Sequence, residues 1–377
     1  MTSRIHTIRF LDNNLAIRDI ATYITYSSAL AVGPFANCQL DARSKTWIPA
    51  GNFDITATNN KMYITAGSSN YTITITIGSY SITTLCAEIK SKMDAVYSNF
   101  TVSYSSTLFM FSIVSNIAPI TLILSQTTNS IWDTLGFTTT SDITASSFTA
   151  DQQRNHTSEW VIWDLTAQRD ILAFCCICPI NEIFGLSSSA VITLEANNVN
   201  SWSSPPFSQT LTRTDNGIFN FFDNLTDYSY RYVRFRYVDR MNTLGPNGVK
   251  FSHIYLGDYF TLDNDRPVSY GYNKLLVDPS VSSATESGTL YFDNKIKYSE
   301  FNGIGLSVLK RDQKDAIEYF FKTVGLNTAF YISIDPLGLY TDDLGELTKY
   351  VFFKDSPVFS HTVKDFFTTA INLREVV

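Results

Sequence analysis

Several groups of residues in this chain could do chemistry by type and spacing. Cys175-Cys-Ile-Cys178 crowds three thiols together, the soft donors a thiolate metal site uses. A closed site needs a second Cys or His pair at ligand spacing, and the other two cysteines and the four histidines are scattered. Free cysteine otherwise behaves as a small hydrophobe, so buried strand thiols with no metal are expected. Asp263, Asp265 and Glu286 carry the carboxylates that a glycosidase uses in pairs, but in a polar, turn-rich stretch they read as a solvated linker. Trp160, Trp163 and Trp202 offer ring faces to a sugar, although such rings on strands more often fill a core. Gly185-Leu-Ser187 lacks the second glycine of a nucleophile elbow, and Gly303-Ile-Gly305 lacks the third glycine of a dinucleotide loop. Asn155-His-Thr157 and Asn224-Leu-Thr226 match glycosylation acceptors, which matter only on an exported chain. The expectation is no enzyme: no catalytic residue, no cofactor and no bound metal.

Composition narrows the class. Charged residues make up 17% of the 377 and aromatics 14%, with Ser, Thr and Asn abundant, a mixture that favours strands with polar, weakly charged surfaces. A net charge of -7 argues against a nucleic-acid partner, which needs a basic face. The N-terminal Met1 to Phe10 holds no apolar run of signal-peptide length, and no run of about 18 apolar residues occurs anywhere. A soluble protein made in a cytoplasm, without membrane insertion, is expected.

The elements that must position these residues centre on Tyr230 to Asp239, dense in aromatic and β-branched types. Alternation predicts Val233, Phe235 and Tyr237 on a core face and Tyr232, Arg234 and Arg236 on a face whose polar tips need partners. Its expected neighbours are Glu159 to Leu165 and Val249 to Gly257. Ala21 to Ser28 reads as a short strand before an irregular loop. Within 56–155, Lys61 to Thr65 and Asn70 to Gly78 alternate, with Tyr71, Ile73, Ile75 and Ile77 on one face. Thr84 to Tyr97 places Cys86, Ile89, Met93 and Val96 at helical spacing behind a capping Thr84. Phe100 to Tyr104 with Leu108 to Val114 reads as a hairpin, Ile120 to Leu124 as a strand, and Ile131 to Phe137 as a compact turn. Asp263 to Pro267 reads as a linker and Ser282 to Gly288 as an exposed loop. Leu309 to Val324 predicts a helix with Ala316, Ile317, Phe320, Phe321 and Val324 as its apolar stripe and Gly325 at its stop. Strands follow at 329–335, 347–353 and 366–374.

Some of these stretches resemble known families. Asp41 to Trp47, Trp160-Val-Ile-Trp-Asp-Leu165, Val191 to Asn197 with Trp202, Tyr230-Arg-Tyr-Val-Arg-Phe235 and Phe251 to Gly257 resemble, in order, the elements of discoidin-like (galactose-binding-like) β-sandwiches. The family's terminal disulfide, calcium loop and sugar pocket find no match here. Gly78-x-Tyr80, a helix, paired strands and Leu135-Gly-Phe137 resemble a module of viral and bacteriophage structural proteins. Phe320-Phe321 ending at Gly325, Asp335-Pro336 and the closing Asn372 to Val377 resemble the small barrel-and-helix domain of distal tail and minor tail proteins of long-tailed phages.

These resemblances imply a mainly β, multidomain protein: a discontinuous sandwich over 1–55 and 156–262, an inserted α+β domain over 56–155, and a C-terminal β-barrel-plus-helix tail-ring domain over 263–377. They imply a structural component of a bacteriophage virion at the tail tip or baseplate, assembled in the host cytoplasm. Its partners would be itself, in a ring of roughly three or six copies, and other tail proteins such as tube, hub and fibres. The surplus of aromatic residues in the last segment, Phe352 and Phe353 among them, is expected at the subunit contacts. The alternative is a carbohydrate-binding adhesin that recognises host surface glycans, and a glycan-active enzyme ranks last.

Overall fold

The Ser229–Val238 strand sorts its side chains as alternation dictates: Val233, Phe235 and Tyr237 are fully buried, while Tyr232, Arg234 and Arg236 are half-buried on the opposite face. The structure, a computed structural model, describes residues 8–29, 31–154, 158–179, 184–214, 217–222, 229–240, 242, 248–262, 273–284, 290–333 and 348–377. Antiparallel pairing joins Ser229–Val238 to Glu159–Asp170 on one side and to Val191–Asn197 on the other. Phe207–Thr210 and Ile24–Tyr26 form the edges of this five-stranded sheet. Part of the stretch expected as one strand from Ala21 is a helical turn, Ile20–Tyr23, which Asp19 caps by accepting from the Thr22 N–H. Val249 to Gly257, expected beside Ser229–Val238, lies in the facing sheet instead. There Phe251 meets the central strand across the core, 5.4 Å from the Phe235 ring and 5.3 Å from that of Tyr237. Ile254, Tyr255 and Leu256 are all buried, so the stretch is apolar on both faces and its pattern identifies a strand without saying whose neighbour it is.

The facing sheet is larger and extends well past the sandwich. In order it holds Gly217–Phe221, Ala173–Ile177, Ile254–Thr261, Arg9–Asn14, Phe330–Ser333, Thr348–Phe353, Phe366–Glu375, Tyr298–Leu309 and Asn273–Val277, with Ser360–Val363 paired off this path to Phe366–Glu375. Arg9–Asn14 is the splice: Phe10 pairs with Phe260 on one edge and Ile332 on the other. The expected C-terminal barrel is therefore not found: among the described residues no sheet closes on itself, because Phe330–Ser333 spends its free edge on Arg9–Asn14. Mainly β structure in several sheets is what the chain shows.

Three cores follow from this sheet. Trp47, Trp163, Phe174, Cys176, Phe235 and Phe251 belong to the one between the facing sheets. On the C-terminal half, the Arg311–Val324 helix buries Ile317, Phe320 and Val324 and covers Phe10, Phe330, Ile332 and Phe353. Phe320 makes edge-on contacts with Phe10 and Phe330, at 5.5 and 4.9 Å. Its stop is Gly325, at φ +59, a conformation that glycine reaches without strain. The third core gathers Leu11, Cys175, Phe219, Tyr255, Tyr331 and Tyr350. The aromatic surplus expected at subunit contacts is largely internal: Phe330, Tyr331, Tyr350 and Phe353 are buried, and Phe352, Phe366 and Phe367 are half-buried. The expected linker at 263–267, Pro336 and residues 285–288 of the expected loop lie outside the described residues, and Val281–Ala284 is a strand.

Residues 52–150 build a core of their own. Lys61–Ala66 and Ser69–Thr74 pair as a hairpin, extended by Ile120–Leu122 and Ile143–Ala145, and Phe100–Ser105, Met110–Ser115 and Ser147–Thr149 form a second small sheet. Over them lies the Ile82–Asp94 helix, burying Leu85, Ile89 and Met93. Ser81, not Thr84, caps it, accepting from the Thr84 N–H. The apolar stripe is rotated from the expected one: Leu85 leads it, Cys86 is half-buried and Val96 lies exposed past the helix end. Ile77 is exposed as well, because the strand ends at Thr74. Gly136, at φ +86, ends the turn Trp132–Leu135 where a Cβ would stand 2.3 Å from the Gln152 carbonyl, so only glycine fits.

The two ends of this region meet at Glu159. Its carboxylate accepts from the Asn52 N–H at 2.6 Å, from the Ser28 hydroxyl at 2.7 Å and from Ser27, while the Ser158 hydroxyl donates to Asp54 at 3.0 Å. Burial raises the Glu159 pKa above the usual range against the pull of these donors. Adjacent ends make the loop inexpensive to close. Replacing 57–154 with a short Gly/Ser linker is expected to leave a folded β-protein; loss of the β signal in circular dichroism of that variant, with the full chain folded, would refute an independent insert.

His253 generates a pH prediction. It is buried against the rings of Tyr350 and Tyr331, at 4.4 and 5.6 Å, and the Tyr331 hydroxyl donates to its carbonyl at 2.9 Å. Asp41, the nearest carboxylate, stands 3.9 Å from its Nε2 and accepts from the Tyr350 hydroxyl. Burial lowers the imidazole pKa from 6.5 to about 3. The folded value lies below the unfolded one, so the contribution is complete above about 6.5 and is lost as pH falls toward 3, by up to about 1.4 kcal/mol per unit. Urea unfolding from neutral pH down to about pH 4 should show this slope, and His253→Phe should remove about one proton's share of it. An unchanged slope in the variant would show that His253 does not titrate this way.

Candidate functional site

The outer face of the five-stranded sheet carries a cleft, and its floor follows from strand register. One row across the sheet reads Trp160, Arg236, Thr193, and the next Ile162, Arg234, Glu195, Ser208. The opposite wall is the inserted region, which contributes Asp54, Thr56, Asn59, Asp133 and Thr134. The space between is about 690 Å³, within the range of ligand sites.

Most charges here are already committed. Arg234 donates through Nε to Glu195 at 2.5 Å and lies over the Trp202 ring at 4.6 Å, and Trp202 donates to Asn200 at 2.8 Å. Asp133 accepts from Arg154 at 2.9 Å and from Arg240 at 2.8 Å, tying the inserted wall to the sheet. Asp54 accepts from Ser79 and Ser158. Arg236 differs: it is half-buried, its carbonyl accepts from the Thr193 hydroxyl at 3.4 Å, and among the described residues its guanidinium makes no hydrogen bond or ion pair. Burial, and then the neighbouring Arg234, lower its pKa, with Glu195 and Asp54 opposing.

Of the three tryptophans with sugar-facing potential, the structure brings two together. Trp160 and Trp202 are half-buried in this cleft, and Trp163 is a fully buried core ring. Period-2 alternation from the buried Val161 and Trp163 separates Trp160 in the sequence itself; nothing local predicted the inserted wall. Cys175, Cys176 and Cys178 are buried on and beside the Ala173–Ile177 strand, which divides them between two cores, and burial pushes the Cys175 and Cys176 thiols well up. Ser187 donates to the buried Asp239, which also accepts from Asn242, and among the described residues no imidazole hydrogen-bonds to either. Gly185, at φ +71, passes against the Gly248 carbonyl. Gly303 and Gly305 lie inside the Tyr298–Leu309 strand, where Gly303, at φ +74, sits at a register shift opposite Phe366–Glu375. Asp263, Asp265, Glu286 and both glycosylation-like triplets fall outside the described residues. Among those described, no three His, Cys, Asp or Glu gather to hold a metal, and no helix is long and apolar enough to cross a membrane.

A second surface lies at the far edge of the large sheet. Asn273–Val277 pairs with Tyr298–Leu309, and beyond it Val281–Ala284 pairs with Leu290–Asp293 as a separate two-stranded ribbon. Leu275 and Leu276, neighbours that point to opposite faces, are 51% and 76% exposed, and Val281, Leu290, Tyr291 and Phe292 are each at least 60% exposed. Among the described residues, neither face of this arm is covered.

Removing one member of the Arg234–Glu195 pair leaves a nearly buried ion without its partner; the side chains are 14% and 9% exposed. Glu195→Ala is expected to cost about 3 kcal/mol, and Glu195→Leu with Arg234→Leu to recover most of it, in urea unfolding midpoints. Equal losses in both variants would show that the pair contributes through packing alone. No family model matches the chain, and no curated protein matches it.

Proposed function

We propose that this chain is a structural subunit of a bacteriophage tail tip or baseplate, in which copies assemble into a ring and the discoidin-like sandwich and inserted module project toward fibres or the host surface. The ordered resemblances to discoidin-like sandwiches and to distal and minor tail proteins support this reading. The single observation that carries it is the arm. An isolated two-stranded ribbon is marginally stable in water, and large apolar side chains clustered in exposed strands mark contact sites. An arm left bare on both faces by the described residues gains its cover when a neighbouring copy packs on it, and head-to-tail contacts of that kind close into rings. A second reading, a module that binds host glycans, is supported by a different observation, the cleft holding Trp160, Trp202 and Arg236.

Leu276→Asp with Phe292→Asp tests the first reading, because both side chains point to water in the single chain, 76% and 63% exposed. The double variant is expected to keep the wild-type circular dichroism spectrum and to lose self-association in analytical ultracentrifugation and ring formation in electron micrographs. Wild-type assembly by the variant would sink the proposal.

A further inference from the structure

The cleft on the outer sheet face combines features that select a ligand. Its floor presents an indole, Trp160, in the same cross-strand row as Arg236. Trp202 stands on the same floor, steadied by its hydrogen bond to Asn200 and by the Arg234 guanidinium. Flat apolar rings of this kind stack on the C–H faces of pyranoses and give area at low entropic cost. The rim adds the hydroxyls of Ser203 and Ser208, and the wall adds Thr56, Asn59 and Thr134, already linked to one another by hydrogen bonds, a polar lining matched to a ligand rich in hydroxyls.

Charge decides the remaining feature. Glu195, Asp133 and Asp54 are held by arginines or hydroxyls within the protein, so none is left over to bind a cation. Arg236 is the cation without a hydrogen-bonded partner among the described residues, and a guanidinium presents the planar fork that pairs with a carboxylate. We propose that this cleft binds an acidic saccharide, a pyranose bearing a carboxylate, with Arg236 on the carboxylate and Trp160 beneath the ring. This deepens the glycan-binding reading and rests on it, and it stands apart from the arm and the ring.

The test applies the purified full-length protein to an array of carboxylated saccharides, the same saccharides as neutral methyl esters, sulfated and phosphorylated saccharides, and poly-glutamate. Binding confined to the carboxylated saccharides is expected, with at least a tenfold preference over the esters. Arg236→Gln, which removes no internal hydrogen bond, should abolish that preference, and Trp160→Phe should weaken binding to acid and ester alike; circular dichroism confirms that both variants fold. Equal binding of acids and esters would overturn the carboxylate assignment and leave glycan binding standing, whereas no binding to any saccharide would overturn both. A preference for sulfate or phosphate, equal capture of poly-glutamate, or an unchanged preference in Arg236→Gln would also refute the proposal.

Discussion

One short strand holds the architecture together. Arg9–Asn14 has a sheet edge on each side, Ile254–Thr261 on one and Phe330–Ser333 on the other, so backbone hydrogen bonds run through it from the sandwich into the C-terminal strands. Its side chains serve separate cores: Phe10 stacks on Phe260 at 5.0 Å under the helix, while Leu11 enters the core with Tyr331 and Tyr350. Arg9 lies between the rings of Phe221 and Tyr259, at 4.8 and 4.6 Å, an arrangement that tolerates a buried guanidinium. With that slot filled, Phe330–Ser333 has no free side to receive the far edge strand Asn273–Val277, and the large sheet stays open.

What the sequence made legible follows from how much one face of an element differs from the other. Ser229–Val238 and Lys61–Ala66 are buried on one face only, and their alternation is clean. The Arg311–Val324 helix shows the same contrast at helical spacing and is recognisable within two residues at its start. Where both faces are buried the contrast vanishes, so Val249 to Gly257 reads as a strand with no indication of its sheet. Tyr298–Leu309 escapes notice for a different reason: Gly303, at positive φ, interrupts the alternation at a register shift, and the two glycines suggest a loop. The arm is hidden in the sequence because its leucines and aromatics look like core residues, and only the fold shows that none of the described residues covers them.

The candidate cleft was half legible. The polar face of Ser229–Val238 announces that Arg234 and Arg236 need partners, and Glu195 answers for Arg234 through register alone. The other wall comes from a region far away in sequence, brought in by the Glu159 junction and the Asp133 bridge to Arg240. Such a juxtaposition of two modules has no local signature: alternation separates Trp160 from the core ring Trp163, but nothing local sets Trp202 and the opposite wall beside it.

The double pairing of Arg9–Asn14 also sets an order of events during synthesis. The strand leaves the ribosome before either of its partners, and Phe10 cannot complete its pairing until Phe260 and then Ile332 have been made. At ordinary elongation rates that is a wait on the order of tens of seconds. During that time a strand carrying Phe10 and Leu11 has both edges open, the condition under which nascent chains associate wrongly. The inserted region can fold meanwhile, since its pairings lie within its own span. The large sheet therefore closes only after Ile332 has emerged, so Arg9–Asn14 reaches its final partners later than the inserted region made after it.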